Sequence, residues 1–421
     1  MFSKHPWWAI TIYIIATLFL IYEMALQVSP SVMTKDLMRD FAIGAGKLGL
    51  MGGFYFYSYT LMQIPAGLLV DRFGPRRLIT LSAIVCSLGA FFFGGTQTFT
   101  MACLGRFFMG FGSAFAFICV LVVASRWFQK KSFALLVGMA QFLAAMGALS
   151  GELPLSYAID TLGWRHMMMI LAALGMVIAL IALIFVRDYP QEATPTHHQD
   201  RHLKLWHKLA EILTHKQTYA IGAYAFCSWA PVAAFAALWG VPFMIELYQI
   251  SNTHAALAIA MVWLGCAFSA PFLGWVSDLL GRRCLPLQVA AIIGTFCSAM
   301  VIYLPLPFWL ACVLLIGLGV AGSGQIVTFA LVQETNRPSM TGAAIGFNNM
   351  AVVAGGAIFQ PLIGWILHSL WNGQTSLGIP IYSVNSYKFA LMLIPLCFAT
   401  AWILSAFVIK ETYCKTITRK S

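Results

Sequence analysis

Charge is what this sequence has least of. Only 9% of its 421 residues are Asp, Glu, Lys or Arg, while 60% are hydrophobic. A water-soluble fold cannot hide that much apolar surface, which excludes a soluble domain and leaves an integral membrane protein. The ten cysteines have no C-x-x-C spacing, so neither a disulfide framework nor a metal site is expected and they read as small packing residues. No phosphate-cradling glycine loop, nucleophile elbow or metal motif occurs, so neither an enzyme nor a cofactor is expected. Alternating ten-residue strands are also missing, which excludes a membrane barrel.

What is present is a series of apolar runs of the length a spanning helix needs, roughly 20 residues. Twelve begin near Trp8, Leu48, Leu78, Ala102, Phe133, His166, Tyr219, Ala255, Leu285, Phe308, Gly342 and Phe389. The expected fold is an all-α polytopic membrane protein. The first run is too long for a signal-peptide core and lacks a small-residue cleavage site, so it reads as a retained helix.

The net charge of +11 would suggest nucleic acid in a soluble chain; here the positive-inside rule accounts for it. With the N-terminus inside, Lys35, Arg39, Lys47, Arg165 and Lys388 fall outside and Arg106 in the membrane, leaving the other nineteen of 25 basic residues in the cytosol. Both termini are therefore expected to be cytosolic.

The chain repeats itself. Gly67, Asp71, Gly74 and Arg76 recur as Gly274, Asp278, Gly281 and Arg283, each 207 residues on. The same offset pairs Gly110 and Gly112 with Gly317 and Gly319, and Pro154 with Pro361. Two homologous halves follow, 1–187 and 218–421, joined by a linker at 188–217. Within the linker Leu205, Trp206, Leu209, Ile212 and Leu213 share one helical face, which predicts a short helix on the cytosolic membrane surface. The linker histidines match no metal spacing and receive no role.

Three ionisable side chains fall inside spans, where each costs on the order of 3 kcal/mol and is a functional candidate by default. They are Glu23 in helix 1, Arg106 in helix 4 and Glu152 in helix 5, at similar depth. A contact between Glu23 and Arg106 is expected, with Glu152 nearby. Their equivalents at the 207 offset are Ala230, Val313 and Phe359, so one half alone carries this charge. Such a carboxylate can take up a proton from one side and release it to the other. The second half offers neutral groups instead: Tyr224, Trp229, Trp263, Gln325, Thr328, Asn348, Asn349 and Gln360, suited to hydrogen bonding and stacking against a small polar solute. Gln325, flanked by Gly322, Ser323 and Gly324, is the preferred single candidate.

The stretch Gly67-Leu-Leu-Val-Asp71-Arg72-Phe-Gly74-Pro75-Arg76-Arg77 resembles the signature loop of the major facilitator superfamily, G-x-x-x-D-R/K-x-G-x-R/K-R/K between helices 2 and 3. It matches at every fixed position. Its repeat, with Asp278, Gly281, Arg282 and Arg283, has Leu279 where the first copy has Arg72. Arg106-x-x-x-Gly110-x-Gly112 and Gly163-Trp164-Arg165 extend the likeness along the chain. The resemblance implies two pseudo-symmetric six-helix bundles around a central cavity, with alternating access by rocking of the halves. It implies a cavity lined by helices 1, 4, 7 and 10, and a gate in which Asp71 engages Arg126 and the N-terminus of helix 11.

Around Tyr22-Glu23-Met24-Ala25-Leu26-Gln27 the chain also resembles nutrient carriers of the superfamily for amino acids or dipeptides, which adds Tyr22 and Gln27 as cavity candidates. Helix 5 half-matches the pattern of drug antiporters at Gly138, Gly147 and Gly151, but Glu152 stands where the proline belongs. The expected function is a proton-coupled carrier of a small polar solute, with an amino acid or short peptide favoured, working as a monomer in a bacterial inner membrane. A proton antiporter exporting drugs or siderophores is the alternative.

Overall fold

The computed structural model describes residues 6–129, 132–189, 215–336, 341–376 and 378–415. The expected amphipathic linker helix and its histidines at 197, 198, 202 and 207 lie outside them.

Eleven described helices are long and apolar enough to cross a membrane: α1 (Trp7–Asp40), α3 (Arg72–Gly95), α4 (Phe99–Trp127), α5 (Leu135–Leu162), α6 (Trp164–Phe185), α7 (Lys216–Tyr248), α8 (Asn252–Leu280), α9 (Cys284–Tyr303), α10 (Phe308–Thr335), α11 (Ala344–Ser369) and α12 (Val384–Val408). The twelfth is α2 (45–71). It runs into α3 as one stretch, Ala45–Gly95, broken only at Gly74 (φ 79°, ψ 159°). Apart from a two-stranded hairpin, Thr375–Ser376 with Ile379–Pro380, the described fold is helical. In lipid every backbone N–H and C=O must find an internal partner, which is why helices alone make the spans.

The turns at Gly74 and Gly281 lie on one face of the membrane bundle, called here the motif face; the opposite side is the far face. On the far side the halves are zipped together. A Cβ on Gly49 of α2 would overlap the Gln360 carbonyl of α11, and one on Gly364 would overlap the Ala45 carbonyl. The Ala45 N–H donates to Tyr382 Oη at 2.8 Å. Toward the motif face the same two helices part: a Cβ on Gly67 or Gly346 would meet nothing within 4 Å.

The repeat is not rigidly in register. Gly110 packs on the Tyr55 carbonyl and Gly319 on the Val262 carbonyl, and positions 55 and 262 are themselves 207 apart. The structural partner of Gly110 is therefore Gly319, not Gly317. The register slips by two residues around the α9–α10 turn: α9 ends one residue later than the repeat predicts, at Tyr303 against Gly95, and the turn 304–307 is one residue longer than 96–98. Arg106 then corresponds to buried Leu315 rather than to Val313; the asymmetry of charge stands.

Candidate functional site

Between the halves lies a cavity of about 90 Å³. Glu23, Met24 and Gln27 of α1, Tyr59 of α2 and Gln141 of α5 line it from one half; Trp229, Trp263, Gln325 and Asn349 line it from α7, α8, α10 and α11 of the other. Among the described lining residues, Glu23 is the one with a formal charge.

Glu23 is 1% exposed. Tyr55 Oη donates to its Oε2 at 2.9 Å, and Ser113 of α4 lies beside the same carboxylate. The expected contact with Arg106 is not made. Pro30 has no N–H, so the Leu26 carbonyl four residues earlier loses its helical partner, and α1 narrows there into a 3-10 turn at Ser29–Met33. Ser29 Oγ donates to the Leu26 carbonyl at 2.9 Å, and Arg106 fills the rest of the gap: Nη1 donates to the Leu26 carbonyl at 2.8 Å and Nη2 to the Gln27 carbonyl at 3.1 Å. Its guanidinium lies 4.7 Å over the Tyr55 ring. Arg106 and Glu23 therefore meet through Tyr55, the carboxylate at its hydroxyl and the guanidinium over its ring.

Glu152 does not line the cavity. It is fully buried at the break in α5 where Pro154 again removes a helical donor. Ser31 Oγ donates to its Oε2 at 2.8 Å. The Trp263 indole N–H lies next to the carboxylate, yet Glu152 Oε1 and Trp263 Nε1 have no hydrogen-bond partner among the described residues.

Of the remaining candidates, Gln27, Trp229, Trp263, Gln325 and Asn349 reach the cavity, and Tyr22, Tyr224, Thr328, Asn348 and Gln360 do not. Tyr22 is buried beside Gly175 of α6. Tyr224 donates to the Leu287 carbonyl at 2.8 Å, and Asn348 donates to Thr328 Oγ1 at 2.9 Å; both tie helices together. Gln360 clamps α7, donating to the Ala233 carbonyl at 2.8 Å in a π-helical stretch, Val232–Trp239. Trp229 and Trp263 pack edge to face, with ring centroids 6.3 Å apart. Gln325 brings an Oε1 that has no partner among the described residues. Asn349 donates to Gln63 Oε1, joining α11 to α2 across the halves. Residue types alone did not single out Tyr55, Tyr59 or Gln141, which are common in spans without special spacing.

At the motif face the two turns use carboxylates that the repeat did not reveal. A Cβ on Gly74 would collide with the Asp188 carboxylate, whose Oδ1 accepts the Arg76 N–H at 2.9 Å. The Arg76 side chain donates to the Leu183 carbonyl. Arg126 donates to the Asp188 carbonyl at 3.5 Å and lies 4.4 Å over the Tyr189 ring. Arg72 stacks on Phe73, and Arg77 and Arg282 are exposed. The side chain of Asp71 lies outside the described residues, and with it the expected gate contact.

In the second copy Arg283 pairs with Asp278 at 2.6 Å and Glu334 at 2.7 Å. Glu411 accepts the Arg283 and Cys284 N–H groups at 2.8 Å each. Asp188 and Glu411 thus play one role, accepting the backbone N–H of Arg76 and its repeat Arg283. They are 223 residues apart rather than 207, because the α11–α12 loop with its hairpin is longer than the single residue between α5 and α6. Burial works against the Arg283 guanidinium, but hydrogen bonds to Glu334 and Asp278 outweigh it and hold its pKa above the ordinary range. Burial likewise opposes the charged form of Glu411, and four backbone N–H groups reverse the balance, leaving its pKa below the ordinary 4.5.

The family model described as Major Facilitator Superfamily matches residues 13–361. The chain belongs to the major facilitator superfamily. Among similar superfamily members, a probable galactarate/D-glucarate transporter (GarP) of Escherichia coli K12 is 26% identical over 175 residues, 38% of this chain and 38% of that one. The chain thus aligns with about two fifths of that relative's length. The chloroplastic ascorbate transporter of Arabidopsis thaliana is 20% identical over 420 residues, 91% of this chain and 75% of that one. A bacterial homolog of the human lysosomal transporter Spinster, in an inward-facing and occupied conformation, superimposes with a TM-score of 0.72 at 17% identity, covering 96% and 95% of the two chains. At that identity the likeness is one of fold.

Proposed function

We propose that this superfamily member is a proton-coupled carrier of a small hydroxylated organic acid, with Glu23 as the proton-binding group. The observation that carries the reading is the composition of the cavity wall: one carboxylate, no cationic side chain among the described residues, amides from both halves and two indoles. Ionised, Glu23 repels an anionic solute. Protonated, it removes that repulsion and offers a donor. An anion is then admitted together with a proton, and co-transport follows from electrostatics alone. Gln27, Gln141, Gln325 and Asn349 supply donors and acceptors for hydroxyl groups, and the faces of Trp229, Trp263 and Tyr59 fit the apolar side of such a solute. GarP and the ascorbate transporter are named for hydroxylated acids of this kind.

Alternating access would proceed between the present arrangement, zipped on the far side, and one zipped on the motif side. The proposal places the motif face and both termini in the cytosol of a bacterial cell, with a bundle of residues 1–187, a linker at 188–217 and a bundle of 218–421 working as a monomer. Asp71, Arg126 and the second-copy charges would hold the motif-side gate.

A zwitterionic amino acid or peptide would have used Glu23, Glu152 and Arg106 together, but two of these three point away from the cavity. The same single carboxylate favours a second reading, an amine-bearing solute seated against ionised Glu23 and the indole faces. That solute would compete with the proton, giving antiport, as in the drug-export alternative. Proton flux separates the two. In proteoliposomes with a pH-sensitive dye inside, external D-glucarate or ascorbate should acidify the lumen; alkalinisation by amines, with no response to the acids, would reject the first reading in favour of the second.

A further inference from the structure

Two buried side chains from opposite halves, each with a polar atom unpaired among the described residues, lie next to each other. Glu152 Oε1 belongs to α5 and Trp263 Nε1 to α8, both residues are 0% exposed, and both atoms are unpaired among the described residues. An unmade hydrogen bond inside a membrane is costly, and an indole N–H aimed at a carboxylate is a good one when made. Their surroundings give the pair a purpose. The Trp263 ring is part of the cavity wall. Glu152 starts the outer segment of α5, in which Ser156 and Asp160 follow at four-residue steps on the same helical face.

That face makes the far-side seam with α8. Asn252 Nδ2 donates to Ser156 Oγ at 3.2 Å and to the Val32 carbonyl at 2.9 Å. Ser156 Oγ donates to Thr253 Oγ1 at 3.4 Å, and Thr253 Oγ1 donates to Asp160 Oδ2 at 2.8 Å. One row of polar contacts therefore runs from a ring in the cavity wall to the far surface. Its innermost link is open.

We propose that Glu152 is a positioning residue rather than a proton or solute ligand: its hydrogen bond with the Trp263 indole, formed as the cavity wall settles, latches the far-side seam closed. The inference rests on the transporter reading only for the meaning of the seam, not for the identity of the solute. A neutral acceptor at 152 should serve nearly as well as a carboxylate, because the indole needs an oxygen and not a charge.

The test needs no solute. Ser156→Cys with Thr253→Cys brings two thiols across the seam, and oxidation in proteoliposomes, read by peptide mass spectrometry, reports the closed fraction without interference from the native cysteines. In that background Trp263→Phe and Glu152→Leu should each lower the closed-to-open ratio about tenfold, the effect of losing one buried hydrogen bond. The double variant should lose no more than either single one, and Glu152→Gln should stay within about threefold of the parent. Additive losses, a parent-like Trp263→Phe, or a Glu152→Gln that behaves as Glu152→Leu would each overturn the proposal. A failure of D-glucarate transport would count against the substrate reading alone.

Discussion

The two halves share a scaffold and divide the chemistry. Buried Glu23, Arg106 and Glu152 sit in the first half, whereas their counterparts in the second are apolar and its cavity wall is amide and indole. At the motif face the weight is reversed. The first turn holds Arg76 by Asp188, while the second builds a network of Asp278, Arg283, Glu334 and Glu411. Duplication preserved what packing needs, the close approaches at Gly110 and Gly319, and left the polar positions free to diverge. In the proposed mechanism a proton site in one half, facing amides and indoles in the other, would make the two ligands depend on the same closure.

The contrast can be broken most severely at Arg106. Arg106→Gln should leave the Gln27 carbonyl short of a donor and the Leu26 carbonyl with Ser29 Oγ alone, and destabilise the protein by about 3 kcal/mol, seen as a fall in thermal unfolding temperature in detergent. Leu315→Val, its counterpart in the second half, should cost only about 1 kcal/mol. On the neutral side, Gln325→Ala should raise KM about tenfold, equivalent to 1.4 kcal/mol of lost solute binding, while the ratio of protons to solute stays constant. A changed ratio would place Gln325 on the proton side.

At the motif face, Glu334→Gln should cost about 1–3 kcal/mol by leaving Arg283 half-paired, its side chain being 9% exposed. Asp188→Asn should cost less, because Asn keeps an acceptor for the Arg76 N–H. The smallest effect is in pH. The folded pKa of Glu411 lies below 4.5, so its contribution to stability is present above that value and fades as pH falls through the folded pKa. Glu411→Gln should flatten that acid limb without changing stability at pH 7 by more than about 1 kcal/mol; an unchanged limb would remove Glu411 from the network.

Much of the fold could be read from residue patterns because a membrane enforces them: apolar runs of spanning length, short charged turns and a repeated glycine scaffold. The helix count followed directly. The cavity was half legible. Glu23, Gln27, Trp229, Trp263, Gln325 and Asn349 reach it, but Arg106, Glu152, Tyr22, Tyr224 and Asn348 do not, because composition gives the depth of a side chain and not its azimuth. The destination of Arg106 was in principle readable from Pro30, whose missing N–H strands the Leu26 carbonyl. Asp188 and Glu411 escaped because the repeat offset shifts by 16 residues beyond the α11–α12 loop, so no fixed spacing joins them. Tyr55 escaped because its role exists only where α1, α2 and α4 meet.

The central claim is that the lone cavity carboxylate carries the proton. Its most direct test is Glu23→Gln in proteoliposomes with labelled D-glucarate, comparing accumulation driven by a pH gradient with exchange between equal pools at fixed pH. The account predicts that accumulation disappears while exchange continues at a rate within about tenfold of the parent, since the amide, like a permanently protonated acid, no longer repels the anion. Accumulation against a gradient in Glu23→Gln would contradict it.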